Sequence, residues 1–314
     1  MNPRKAAIIG MGNVGASIAF ALMQKGLYSE LVLIDTNAEK AEGEAMDLSD
    51  GLPYVASMDI HAGDYSEVGD ASLIVITAGA AQKPGETRLD LAEKNTGIMR
   101  SIVEQIKKTP FEGILLIVAN PVDILTHEAQ RISGYPESRV IGSGTVLDTA
   151  RLKDEISRHL AVDARNVHTM IIGEHGDTEV PLWSITNIAG VGLTEFCEIR
   201  GHHEDHHAAM NQLYENVRDS AYKIIERKGS TYYGIAMAVV RIASAIVNDE
   251  HAVLPVSTAL HGEYGLSDVH LSVPAILGAN GIENVLTIRL SSEEMKELHV
   301  SGRALSGMIE KLDG

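Results

Sequence analysis

Over the first 142 residues, short unbroken apolar runs alternate with stretches whose apolar positions recur every three or four residues. The runs are KAAIIG (5–10), ELVLID (30–35), SLIVITA (72–78), GILLIVA (113–119) and SRVIG (138–142). They are rich in Ile, Val and Leu, as expected of strands buried on both faces. GASIAFALMQKG (15–26) and RLDLAEKNTGIMRSIVEQIKK (88–108) read instead as helices with one apolar face. Strand alternating with helix predicts an α/β unit with a parallel sheet and right-handed crossovers. After about residue 143 the rhythm changes. A helix over 145–160 and a strand, VHTMIIG (167–173), come first. A long helical region (about 204–247), strands near 252–260, 269–277 and 283–289, and a helix from about 292 follow. That mixture predicts a second, mixed α+β domain, dividing the chain into 1–142 and 143–314.

Composition narrows the possibilities. A chain of 314 residues with 45% apolar content can fill two cores, and no apolar stretch is long enough for a membrane span. The formal charge of −17 argues against nucleic acid and anionic membranes as partners, so an anionic ligand must be caught by locally placed cations. The N-terminal MNPRKAAIIG shows no signal-peptide pattern, and the one cysteine, Cys197, cannot form an intrachain disulfide. A cytoplasmic location is therefore expected.

Four motifs carry candidate chemistry. IIGMGNVGA places Gly10, Gly12 and Gly15 in G-x-G-x-x-G spacing between a strand and a helix, with Asn13 and Val14 inside the turn. Such a turn lets backbone approach a pyrophosphate at a helix N-terminus. The spacing alone is weak, since glycines often mark only a turn. Asp35, twenty residues after Gly15 at the end of the second apolar run, strengthens it. An acid there bonds a ribose and repels a 2′-phosphate, which favours NAD over NADP. Asn120-Pro121 ends another apolar run in IVANPVD, where an ordinary turn is the bland reading. Asp148 and Arg151 in GTVLDTARLK share a helix face, and an intrahelical salt bridge is the better reading of that spacing until the next motif is considered. His175 in IIGEHGD lies between Gly173 and Gly176. An aspartate on one of its ring nitrogens would leave the other free to exchange a proton. The polar loop AGAAQKPGETRLDL (78–91) adds Gln82, Lys83 and Arg88 beside a strand end.

In combination, GMGNVG, LVLID, AGAAQKPGETRLDL, VANPVD, GSGTVLDTAR and IIGEHGD resemble the lactate/malate dehydrogenase family, most closely its bacterial L-lactate branch, over essentially the whole chain. The resemblance implies a Rossmann doubly wound sheet followed by a catalytic domain, and hydride transfer between NADH and pyruvate to give L-lactate. It casts His175 as proton donor and acceptor, Asp148 as its orienting partner, and Arg151 as the bidentate grip on the substrate carboxylate. Arg88 would stabilise charge growing on the reacting oxygen, and Asn120 would bond the substrate oxygen and cofactor in a cis Asn120-Pro121 turn. Thr231 would line the substrate pocket and Ile235 would cover the nicotinamide.

The segment from about 79 to 90 would be a closing lid whose Gln82 reads the substrate side chain. Malate enzymes place an arginine there to meet a second carboxylate. A neutral glutamine cannot offset the cost of burying one, several kcal/mol, so it favours the methyl group of pyruvate. The neighbouring Lys83 would point to solvent. Lys153 and His168 match positions at which related tetramers bind fructose bisphosphate between subunits. A homotetramer with weak activation by that effector is therefore expected.

Two rivals stay open at this point. One is a dehydrogenase for malate or a bulkier 2-hydroxy acid. The other is a non-catalytic NAD(H) sensor, which leaves His175, Asp148, Arg151 and Arg88 unexplained as a set. The chemistry calls for no metal. GHHEDHH would offer i,i+4 pairs 202/206 and 203/207 if it were helical, but a solvated segment is the simpler reading. The 11 methionines read as core filler.

Overall fold

The computed structural model describes residues 1–80, 87–202 and 205–313, without the side chains of Arg88 and Asp313. In chain order the first half is β1 (Asn2–Ile9), α1 (Asn13–Lys25), β2 (Glu30–Ile34), α2 (Ala38–Asp50), β3 (Asp59–Ala62), β4 (Ala71–Ile76), α3 (Arg88–Ile106), β5 (Ile114–Ile117), α4 (Val122–Ser133) and β6 (Val140–Gly142). All five apolar runs became strands. The edge strand β3 gives no such signal, because DIHA holds only two apolar residues and pairs on one side only.

The second half comprises α5 (Val146–Leu160), β7 (Val167–His168), β8 (Ile171–Ile172), β9 (Val180–Pro181), β10 (Asn187–Ile188), β11 (Val191–Gly192), α6 (Leu193–Ile199), α7 (His206–Lys228), α8 (Tyr233–Val247), β12 (Ala252–His261), β13 (Ser267–Gly278), β14 (Gly281–Val285) and α9 (Ser292–Asp313). VHTMIIG is thus not one strand. Its halves join different small sheets, β7 with β10 and β8 with β9, and Thr169 between them is tied to Thr186 by a buried hydroxyl pair at 2.7 Å. The region about 204–247 is two helices, because Gly229 adopts φ 84° at the end of α7 and Ser230 to Tyr232 separate it from α8. The helix α7 begins at His206, with Asp205 accepting the His207 and Ala208 amides. His202 therefore stands outside it, with its ring 5.0 Å from that of His159, and the 202/206 pair is not an intrahelical one. His203 lies outside the described residues.

The main sheet runs β14-β13-β12-β6-β5-β4-β1-β2-β3. From β6 to β3 every pairing is parallel. The antiparallel strands β12, β13 and β14 extend it where Ser257 meets Gly142. A side chain at Gly142 would come within 2.7 Å of the Ser257 Cβ, so glycine is what allows that approach. One face of the sheet packs Ile8, Leu33, Leu73 and Leu116 against α1 and α8, and the other packs Ile9, Ile74 and Ile117 against α3 and α4. Each such fully buried side chain contributes about 1.5–3 kcal/mol. Strand order reverses between β1 and β4, so the crevice beyond their carboxyl ends is where a ligand is expected. Among the described residues, no helix is long and apolar enough to cross a membrane.

Candidate active site

The crevice is lined first by the glycine turn. Gly10 has φ 102°, and a Cβ there would lie 2.6 Å from the Ala78 amide nitrogen. A Cβ on Gly15 would overlap the Gly10 carbonyl, which Thr77 Oγ1 also holds at 2.6 Å. Gly12 differs: it is the N-cap of α1, supplies no side-chain cap, and has open space where a Cβ would sit. That is the geometry of a turn shaped for close approach of a phosphate. Val14 packs into the core beneath, and Asn13 Nδ2 donates to Ser230 Oγ at 2.9 Å. Asp35 accepts the Met11 amide at 2.6 Å and the Asn37 amide at 2.9 Å. Burial opposes its charge, but those two amides hold its carboxyl below the usual range. The turn and Asp35 fit the pyrophosphate and ribose of NAD.

Beside this turn, the Asn120-Pro121 peptide is cis, as expected. Asn95, buried on α3, accepts the Ala80 amide at 2.7 Å and donates to the Asn120 carbonyl at 2.7 Å. It staples the root of the expected lid to the Asn120 turn. Sequence reasoning missed it, although an amide on the apolar side of a helix was the available signal. Gln82 and Lys83 lie outside the described residues, as does the side chain of Arg88, the first residue of α3. Thr87 and Asp90 cap that helix reciprocally.

The residues expected to carry proton transfer meet between α5 and the loop after β8. Asp148, 3% exposed on α5, bonds His175 Nδ1 through Oδ2 at 2.5 Å and Arg151 through Oδ1 at 2.9 Å. The intrahelical Asp148–Arg151 salt bridge is therefore present, and the same carboxylate also holds His175. The His175 amide donates to Asp123 Oδ2 at 2.8 Å, a buried acid that sequence reasoning passed over inside NPVD. Burial by itself would push the His175 imidazole down. The charge and hydrogen bond of Asp148, with Asp123 and Glu179 nearby, outweigh it and raise the group to about 9. Burial raises Asp148 in turn, but the imidazolium and the Arg151 guanidinium hold it below the usual carboxylate range. Asp148, His175 and Glu179 bring ligand atoms within 4.8 Å of one another. Asp148 Oδ2 is taken up by the imidazole and Oδ1 by the guanidinium.

The remaining positions sit further out. Thr231 is half-buried in the link between α7 and α8, and Ile235 packs against the core that also receives Val14. Lys153 lies on α5, lowered by burial and by the neighbouring Arg241 of α8, and His168 is exposed at the end of β7.

A family model described as lactate/malate dehydrogenase, NAD binding domain, matches residues 4–142, and its α/β C-terminal counterpart matches 145–313. The chain is 50% identical over 310 residues to an L-lactate dehydrogenase of Acetivibrio thermocellus, covering 99% of this chain and 98% of the relative. It is 52% identical over 302 residues to one of Priestia megaterium, covering 96% and 94%. A crystal structure of the minor L-lactate dehydrogenase of Enterococcus mundtii in the ligands-bound form superposes with a TM-score of 0.95 at 46% identity, covering 98% of each chain.

Proposed function

The chain belongs to the lactate/malate dehydrogenase family, and from that premise we propose that it interconverts pyruvate and L-lactate through the residues described above. NAD, when bound, carries the hydride. We take residues 1–142 as the NAD-binding half and 143–314 as the substrate half. Gly10, Gly12, Asn13, Val14 and Gly15 receive the pyrophosphate, Asp35 the ribose, and Ile235 the nicotinamide ring. Arg151 grips the substrate carboxylate, and protonated His175 delivers its proton to the carbonyl oxygen from Nε2. Asp148 holds Nδ1, which fixes the tautomer and orientation of the ring. Asn120 and Arg88 steady the reacting oxygen, and Thr231 lines the pocket.

One observation carries this reading: a single buried carboxylate, Asp148, touches both the imidazole and the guanidinium. A shared anchor fixes the distance between the proton donor and the grip on the substrate, the kind of pre-set geometry that lowers a barrier. The lid over about 79–90 brings Arg88 and Gln82 to the substrate. A homotetramer with weak fructose bisphosphate binding at Lys153 and His168 is part of the proposal. Its support is the exposed apolar Phe20, Met46 and Met237, and the pairing of Lys153 with a second cation, Arg241.

The test is nicotinamide absorbance with pyruvate and oxaloacetate in parallel, on the wild type and Gln82→Arg. The wild type is expected to prefer pyruvate. Supplying a countercharge at 82 should move the ratio of kcat/KM toward oxaloacetate by tenfold or more, about 1.4 kcal/mol. A ratio that stays put removes Gln82 from the specificity position.

A further inference from the structure

The chemistry leaves one buried acid beside the site without a task. Glu179 immediately precedes β9, is 6% exposed, and places a carboxyl oxygen within 4.8 Å of ligand atoms of Asp148 and His175. Its carbonyl accepts the Tyr214 hydroxyl of α7 at 2.8 Å, which pins the backbone. Among the described residues no hydrogen bond reaches its carboxyl group.

The charges facing Glu179 come from several elements. The helix α5 gives Asp148 and Arg151, its own loop gives His175 and Asp177, α7 gives Tyr214 and Arg218, and α9 gives Glu297 near Tyr214. Asp123 of α4 stands behind His175. Asp148 is committed as an anion between His175 and Arg151. A second anion beside it in so buried a position is disfavoured, because Asp148 repels it and burial removes most of its water. Burial first, and Asp148 second, hold Glu179 well above the usual carboxylate range in spite of His175 and Arg151. With Glu179 neutral, Asp123 and Asp148 balance His175 and Arg151. The substrate then brings one more negative charge into the same pocket. An ionised Glu179 would make the excess two.

We infer that Glu179 is a second proton site linked to substrate binding: the keto acid anion is accepted only while both Glu179 and His175 carry a proton. Glu179 is thus a positioning residue that acts by setting the charge around Arg151 and His175, and the inference rests on the reading of the chain as a pyruvate reductase. The two directions of the reaction then differ. Pyruvate binding needs two protons. Lactate binding, which requires neutral His175, still needs the one on Glu179.

The experiment is KM for pyruvate and for lactate from pH 7 to 10.5 in the wild type and in Glu179→Gln, which keeps the shape and removes the titration. Above pH 9 the wild-type KM for pyruvate should climb more steeply than tenfold per pH unit, toward a hundredfold, and tenfold in the variant. KM for lactate should fall in both proteins as His175 loses its proton toward pH 9, then rise above pH 9 in the wild type and level off in the variant. Identical slopes in both proteins overturn the inference, while no pyruvate reduction at any pH overturns the reading beneath it instead. Should the variant not fold, proton uptake decides in the wild type. Oxamate, a non-reducible isostere of pyruvate, is titrated into the NADH complex above pH 9 in buffers of different ionisation enthalpy. More than one proton taken up per site is expected, and one or fewer overturns the proposal.

Discussion

The helix α4 carries two polar residues one turn apart, Asp123 and His127, and each meets a histidine from another element. On one side Asp123 accepts the amide of His175. On the other, His127 Nδ1 lies 3.2 Å from His270 Nδ1 of β13, with the rings edge to face at 5.1 Å. Burial pushes both imidazoles toward the neutral form. Around His175 the neighbours are acids, Asp148 foremost, which reverse that push, and the group rises to about 9. Around His270 the neighbours are His127 and His261, which add to burial and take it down to about 3. Burial is common to both, so the sign of the neighbours decides which histidine can hold a proton at neutral pH. A buried histidine is ordinary core; one held charged against burial is equipped to donate.

The sharpest way to break this contrast is to remove each imidazole. His175→Asn should lower pyruvate turnover by about 10²–10⁴-fold, the usual worth of a positioned acid. NADH affinity, followed by fluorescence, should stay within a few-fold, because none of the residues proposed to hold the cofactor is a hydrogen-bond partner of His175. A large loss of NADH binding contradicts the assignment, and a comparable loss of turnover in His270→Gln erases the contrast.

A smaller effect sharpens it. Asp148→Asn removes the largest support of the His175 charge and leaves burial to act. Losing a hydrogen bond to a charged group costs about 1.5–3 kcal/mol, and a pKa unit is about 1.4 kcal/mol. The alkaline limb of kcat/KM for pyruvate, expected near pH 9 in the wild type, should therefore move one to two units toward acid. The sign follows from the proposed role of protonated His175 in reduction: less support for the charge means earlier loss with rising pH. A limb that does not move shows that Asp148 is not what holds the proton.

These two regions were not equally legible in the sequence. Around His175 the chain announces itself, since Gly173 and Gly176 bracket the histidine and Asp148 and Arg151 share a helix face. The central strands were as plain, because a run buried on both faces has no polar alternation to obscure it. What escaped was decided by tertiary neighbours. Asn95 looks like any helical amide until Ala80 and Asn120 are found on it. Glu179 looks like a surface acid until β9 and α7 bury it. VHTMIIG reads as one strand because its split depends on Thr186, seventeen residues after Thr169. The long helical region read as continuous across Gly229, whose left-handed conformation divides α7 from α8.

His270 offers the smallest effect, and it is one of stability rather than rate. Its folded value of about 3 lies below the ordinary 6.5, so the folded chain refuses a proton that the unfolded chain accepts. Stability is then lost as pH falls below 6.5, at about 1.4 kcal/mol per unit, or about 2 kcal/mol by pH 5. His175 has the opposite sign: its folded value near 9 adds stability below 6.5 that is lost as pH rises through 9. The two histidines thus set a stability maximum near pH 6.5 from opposite sides. His270→Gln keeps a polar group beside His127 and removes the acid-side loss. Measured by urea midpoints at fixed protein concentration, the gap between wild type and variant should close by about 2 kcal/mol between pH 7.5 and pH 5, while turnover at neutral pH persists. Parallel stability curves would show that His270 takes a proton in the fold as readily as out of it, and the contrast with His175 would then rest on the acids alone.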